Sequence, residues 1–388
     1  MEGLTSLATA FYGNYVFFLL HDHYALGNVG NLGVAALQGL LASVAAWKGG
    51  QFAQRQGYFK SLLVGFGGMA VCLFIGCVVQ NLIAQLLVLG GFTIFACFVW
   101  PALQALASEG EFSKADLSRT IGIYNVVWSA TAAVAYFFGG ALFDQLGPRS
   151  IFWLPATVFA LEIFMAIRLA RNFKVTHQPL RASAVEPDRT SHPANLAYPR
   201  LFMKLAWLAN PFAGIGINTV VALIPGLARE LHLSATQSGV LCSVWFFARL
   251  VAFVVLWHWH GWHFRFRWLL GAFLALMGSF AVILTVRDFW YLGMAQVVFG
   301  LAVGFMYSSS LFYSMNVGET KGEHGGLHEA AMGAGNCVGP AVGAIALILA
   351  PQATHAAGYA VTGLMTCGLV GLIGLRFSFT GRRPQEQT

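Results

Sequence analysis

Twelve apolar segments punctuate this chain, near residues 4–25, 29–52, 61–80, 82–107, 120–143, 150–170, 201–227, 236–258, 267–286, 289–315, 327–350 and 356–376. Each is long enough as a helix to cross a hydrocarbon core of ~30 Å, which takes about 20 residues. Only 10% of the chain is charged, where soluble domains carry about 25%. Too few charges are present to coat a soluble surface, so a soluble enzyme, a disordered chain and a collagen-like chain are all excluded. The 44 glycines and 33 phenylalanines suit helices that pack closely in lipid. The expected fold is an all-α polytopic membrane protein with twelve transmembrane helices.

The net charge of +7 raises nucleic acid as a partner. Position decides against it. With both termini in the cytoplasm, the outer side receives only Arg149, Arg229 and Arg287 of the 22 basic residues, and Arg249 lies inside a segment. The others, among them Lys48, Lys114, Arg171, Arg265, Lys321 and Arg383, fall on the cytoplasmic side. That is the positive-inside bias, which explains the basic balance without nucleic acid. The opening Met1-Glu2-Gly3 has no positive n-region and no cleavage site follows, so the first segment is expected to stay as a helix. Short loops and the lack of a targeting signal point to a bacterial-type inner (plasma) membrane. The six cysteines, Cys72, Cys77, Cys97, Cys242, Cys337 and Cys367, lie in apolar segments without a C-x-x-C pair and read as small core residues.

Residues 171–199 form the one long polar stretch, with Pro179, Pro187, Pro193 and Pro199. They read as a cytoplasmic linker between a six-helix bundle over residues 1–170 and a second over 200–388. The bundles correspond weakly. Placing Gly33 on Gly239 also brings Gly65 onto Gly271, pairing the second and eighth helices. Placing Ala132 on Gly335 brings Gly140 onto Gly343, pairing the fifth and eleventh. Parallel repeats of this kind place a binding site between the halves near the midplane.

Two motifs sharpen the reading. Gly50-Gln51-Phe52-Ala53-Gln54-Arg55-Gln56-Gly57-Tyr58-Phe59-Lys60 follows the second helix. It resembles the G-x-L-x-D-R-x-G-R/K loop of the major facilitator superfamily at Gly50, Arg55, Gly57 and Lys60, with Gln54 at the acidic position. In the eleventh helix, Gly333 to Gly343 with Pro340 is similar to that family's G-x-x-x-G-P-x-x-G bend; the fifth helix keeps only Gly139-Gly140 of it. The resemblance implies a secondary transporter working by alternating access, with helices one, four, seven and ten around a central cavity.

Ionisable groups inside the membrane are functional candidates because burial is costly. Arg249, in Trp245-Phe246-Phe247-Ala248-Arg249-Leu250, has the planar fork that suits an anionic substrate; snorkelling or carbonyl contacts are the structural alternative. Asn14 with His21 and Tyr15 with Asp22 are each two turns apart, so all four are expected on one face of the first helix. Asp22, flanked by His21 and His23, is a candidate proton site. Three consecutive residues point in different directions, which argues against a metal. Asn125, Trp128, Asn218, Trp245, Tyr307, Ser309, Tyr313 and Asn336 are candidate cavity groups. His328 and Glu329 open the eleventh helix and are candidates for an inner gate. Glu162 falls in the sixth helix, which the resemblance places at the periphery, and a packing or protonated role is expected. The run from Trp257 to Arg265 reads as an interface anchor.

No G-x-x-x-x-G-K-[ST], H-E-x-x-H or G-x-S-x-G occurs, so no ATP-driven step, no cofactor and no enzymatic activity are expected. The sequence points to a monomeric secondary transporter of a small organic solute, with an anion as the leading candidate and with protons and membrane lipids as further partners. Uniport and export of amphipathic compounds or lipids are the alternatives within transport. A membrane-embedded acyl transferase and a sensor on a transporter scaffold are the rivals outside it.

Overall fold

The computed structural model describes residues 1–108, 114–172, 193–317 and 321–380. The first six helices are α1 (Glu2–Phe18), α2 (Gly27–Gln56), α3 (Tyr58–Val78), α4 (Leu82–Ser108), α5 (Lys114–Leu146) and α6 (Ser150–Asn172). The last six are α7 (Pro193–Glu230), α8 (Ala235–His258), α9 (Phe266–Thr285), α10 (Phe289–Val317), α11 (Lys321–Leu349) and α12 (Ala356–Thr380). All twelve contain a stretch long and apolar enough to span a membrane. The described chain holds no strand.

The polar stretch is shorter than its composition suggested. α6 runs on to Asn172 and α7 starts at Pro193, so both ends of 171–199 are helical. Proline suits the first helical position, where no backbone N–H is needed. Pro199, Pro211 and Pro225 lie within α7, as transmembrane helices allow when neighbouring groups absorb the lost bonds.

Packing sorts the helices into two sets. α3 packs on α4 and α6, and α1 on α5 and α6; α10 packs on α8 and α9, and α7 on α11. The sets meet mainly through α2 against α11 and α5 against α8. The glycine matches in the sequence had paired α2 with α8 and α5 with α11, so each seam joins one member of each matched pair. Small residues make the seams close. A methyl group on Gly39 of α2 would collide with the Asn336–Cys337 backbone of α11, and one on Gly140 of α5 with the Ala235 carbonyl at the start of α8. Contact this intimate between backbones is open only to residues without a side chain.

One end of the bundle carries Met1 and Thr380 and is called the terminal end; the other is the distal end. At the terminal end, α2 passes to α3 through Gly57 alone, whose φ of 94° falls where a Cβ is strained. At the distal end, α1 closes in a π-helical turn, Leu19–His23. The wider turn breaks the α-helical register, so the expected single face of Asn14, Tyr15, His21 and Asp22 is not kept. Tyr15 faces α5, while Asp22 is about half exposed.

Candidate functional site

The functional candidates fall into four places. In the middle of the seam between α5 and α8 lies Arg249, 6% exposed. Its guanidinium carbon sits 4.9 Å from the Trp245 ring centre and 4.7 Å from Phe246. These rings come from the preceding turn of α8, because residues three and four positions apart share a helical face. Trp128 of α5 closes the cage at 4.4 Å. Asn125 holds Trp128 by accepting its Nε1–H at 3.1 Å, and Tyr307 of α10 brings its ring to 5.5 Å from Trp128.

Among the described residues, Arg249 Nε and Nη2 are buried without a hydrogen-bond partner, as is Trp245 Nε1. Among the described residues no carboxylate lies within ion-pair distance of Arg249. Cation–π contact satisfies the face of the guanidinium and leaves its edge open. A buried donor left unmade costs about 1–3 kcal/mol, more when charged. The arrangement can take a hydrogen-bond acceptor at the edge of the guanidinium.

The second place lies nearer the terminal end. Gln104 of α4 donates from Nε2 to Glu329 Oε1 of α11 at 3.1 Å, a contact between the two sets of helices. Beside it, Ser43 of α2 donates to the Ala330 carbonyl at 3.0 Å. The phenol of Tyr124 interacts with Gln104 and with Glu2 of α1. Glu329 thus touches the other set of helices through Gln104, while the side chain of His328 lies outside the described residues. Gly50, Arg55, Gly57 and Lys60 are at this end too, and Lys60 Nζ donates to Gln56 Oε1 at 2.8 Å.

The third place is the distal end. Asp22 Oδ1 lies 2.7 Å from His21 Nδ1 and 3.0 Å from Arg229 Nη2, so it bridges α1's last turn to the end of α7. Asp144 at the end of α5 accepts both N–H and Oγ1–H of Thr236, adding to the Ser234–Gln237 capping box that starts α8. Asn31 donates to the Phe17 and Ala222 carbonyls. The distal end is thus joined by polar contacts.

The remaining candidates make contacts within the bundle. Tyr15 donates to the Tyr136 carbonyl at 2.7 Å. Asn218 donates to the carbonyls of Ala35 and Asn336, tying α2, α7 and α11. Ser309 bonds back to Met306 of its own helix, and Asn14 is buried on α1. Tyr313 accepts from the Phe264 N–H. In the Trp257–Arg265 run, Trp262 is not an interface anchor: it is 3% exposed and packs in a core cluster with Phe202, Leu256 and Tyr313. Trp259 is exposed, as an anchor should be. No group of described His, Cys, Asp or Glu side chains could hold a metal ion.

Gln104, Tyr124, Phe246, Asp144 and Arg229 were not picked out as site residues from the sequence. Phe246 was within reach of it, three positions before Arg249. The others gain meaning only from contacts across remote segments.

A family model described as Major Facilitator Superfamily matches residues 3–340. No curated protein sequence matches the chain significantly. Among solved structures, a mutant form of the nucleoside transporter NupG superposes with a TM-score of 0.71 at 12% identity, over 96% of this chain and 98% of that one. The human organic anion transporter MFSD10 (TETRAN) superposes with a TM-score of 0.67 at 16% identity, over 96% and 97%.

Proposed function

The chain belongs to the Major Facilitator Superfamily, and from that premise we propose that it is a secondary transporter whose substrate is a small organic anion with an aromatic or apolar body. Arg249 is the anion anchor. One observation carries this reading: a guanidinium caged by Trp128, Trp245 and Phe246, with two buried nitrogens, Nε and Nη2, that have no hydrogen-bond partner and no acid beside them among the described residues. A structural arginine in the membrane would be expected to neutralise itself on a carboxylate or on backbone carbonyls. The likeness to NupG and MFSD10 supports the fold, and the substrate class rests on Arg249 alone.

Alternating access needs contacts between the halves that break in turn at each end. We assign Gln104 with Glu329 to the terminal end, and Asp22 with Arg229 to the distal end. The basic-residue bias supports a cytoplasmic terminal end in a plasma (inner) membrane. Asp22 is half exposed and already paired, which suits a latch better than a coupling-proton site.

The test is a thermal-stability screen of purified protein against carboxylates, sulfonates, nucleosides, sugars and lysolipids. A ligand that binds only the folded state raises the melting temperature by mass action. Organic anions should raise it in the natural protein and not in a folded Arg249→Ala variant. A shift from neutral compounds alone, kept in Arg249→Ala, would remove the anion reading.

A further inference from the structure

Away from the arginine cage, a buried acid and a half-buried one lie where α1 meets α5 and α6. Glu162 of α6 has no exposed surface; its Oε1 accepts a hydrogen bond from Thr5 Oγ1 of α1 at 2.8 Å and its Oε2 has no partner among the described residues. On the same helix as Thr5, Glu2 Oε1 accepts from Ser6 Oγ at 3.0 Å, and its Oε2 is buried without a partner among the described residues. The two carboxyls feel each other electrostatically. No described Lys, Arg or His side chain pairs with either. The charged or titratable groups that face them are the Met1 amino group just before α1, the Tyr124 phenol from α5 and the Tyr307 phenol from α10. α3, packed along α6, meets it through rings such as Phe66 on Phe159.

Burying an ionised carboxylate without a side-chain cation costs several kcal/mol, and two such neighbours cannot cheaply both be charged. A bare Oε2 is where one hydrogen resolves the cost, turning an orphaned acceptor into a donor. Tyr124 then reaches from Glu2 to Gln104, and Gln104 to Glu329 on the other half. We propose that Glu162 and Glu2 form a proton-binding site, and that Tyr124 links its occupancy to the Gln104–Glu329 contact between the halves. Hydronium in the water that reaches Glu2 gives the proton; an O–H bond forms on a carboxylate oxygen, water is left behind, and release reverses both. If the site differs between open and closed forms, protonation shifts their balance by that difference in affinity. Use of the proton in a transport cycle rests on the transporter reading; binding of the proton does not.

The test needs no substrate. Infrared difference spectra of the purified full-length protein in lipid nanodiscs, recorded as pH is stepped, separate carboxylic acid from carboxylate by the C=O stretch. A titrating band from a buried acid is expected, lost in Glu162→Gln and displaced in Glu2→Gln. The same spectrum in both variants overturns the site. Should Glu162→Gln fail to fold, Thr5→Val removes only the hydroxyl on Glu162 and must displace the midpoint; an unchanged midpoint is equally fatal. A spin-label distance across the terminal ends of α4 and α11 should change with pH in the natural protein. Tyr124→Phe should keep the band and lose that change; a distance that responds as before overturns the link. With no ligand present, failure of the anion reading leaves both results standing.

Discussion

The guanidinium of Arg249 lies 4.4 Å over the ring of Trp128, so that one cation–π contact crosses the seam between the first and last six helices. The residue proposed to hold the substrate is therefore held by both moving parts. A ligand on the edge of this arginine senses whether α5 and α8 are together. Arg249→Ala should stay folded and weaken anion binding about 10- to 100-fold, the worth of a charge-assisted hydrogen bond at about 1.5–3 kcal/mol. Arg249→Lys should recover little, because a compact ammonium lacks the planar fork and stacks less well. Titration calorimetry on the best anion from the screen measures this; equal affinity in the lysine variant would show that charge alone suffices.

Trp128→Leu should tell the cage from the charge. The contact is worth about 0.5–2 kcal/mol when desolvated, so an apolar replacement should cost roughly 2- to 30-fold in affinity for an aromatic anion. An aliphatic carboxylate of similar size should lose less. If both ligands lose equally, Trp128 positions Arg249 and does not meet the substrate.

Close approach at Gly39 predicts a steep cost for even one methyl group. Gly39→Ala places a Cβ against the Asn336–Cys337 backbone, whereas Gly33→Ala, six positions earlier on α2, meets nothing within 4 Å. Overpacking of rigid backbone typically costs about 1–3 kcal/mol. The Gly39 variant should melt well below the natural protein and the Gly33 variant should not. Equal melting temperatures would mean that α2 and α11 slide apart freely.

The twelve spans were legible because lipid crossing demands length and apolarity, which composition records directly. Arg249 was legible because one guanidinium in an apolar run stands out. Its cage was half legible: Trp245 and Phe246 stand a turn away on the same helix, but Trp128 comes from another helix and no local pattern joins them. The one-face reading of Asn14, Tyr15, His21 and Asp22 assumed a regular helix, and the turn at Leu19–His23 is π-helical, with His21 buried and Asp22 half exposed. Glu162 looked peripheral because the sequence cannot show Thr5 donating to it from α1. That Asn218 donates to the Ala35 and Asn336 carbonyls was not legible either, because a carbonyl acceptor on another helix carries no sequence mark.

The distal latch predicts a change in conformational balance with almost none in stability. The side chains of Asp22 and Arg229 are 47% and 65% exposed, and exposed ion pairs contribute about 0–1 kcal/mol. Asp22→Asn should leave the melting temperature nearly unchanged and raise the labelling rate of a cysteine placed inside the distal end by up to about 5-fold. The swap of Asp22→Arg with Arg229→Asp should restore the original rate. A swap that labels as fast as the single variant would mean that the pair does not hold the end shut.

His263, in the connection from α8 to α9, gives a pH dependence with a definite sign. It stacks on Phe312 at 4.1 Å with an interplanar angle of 15°, and its ring meets Trp262 at 4.4 Å and His260 at 5.4 Å. Burial, then the neighbouring His260, holds the imidazole down at about 4, below its ordinary 6.5. A base with a lowered folded-state pKa takes up its proton first in the unfolded chain. Stability from neutral His263 is therefore whole above pH 6.5 and declines as pH falls from 6.5 toward about 4. His263→Phe keeps the stack and removes the titration. Melting temperatures of the two proteins should differ by a constant above about pH 7, and the difference should move against the natural protein at each acidic step. A difference that stays flat down to about pH 4.5 would mean that this imidazole titrates alike in the folded and unfolded chains.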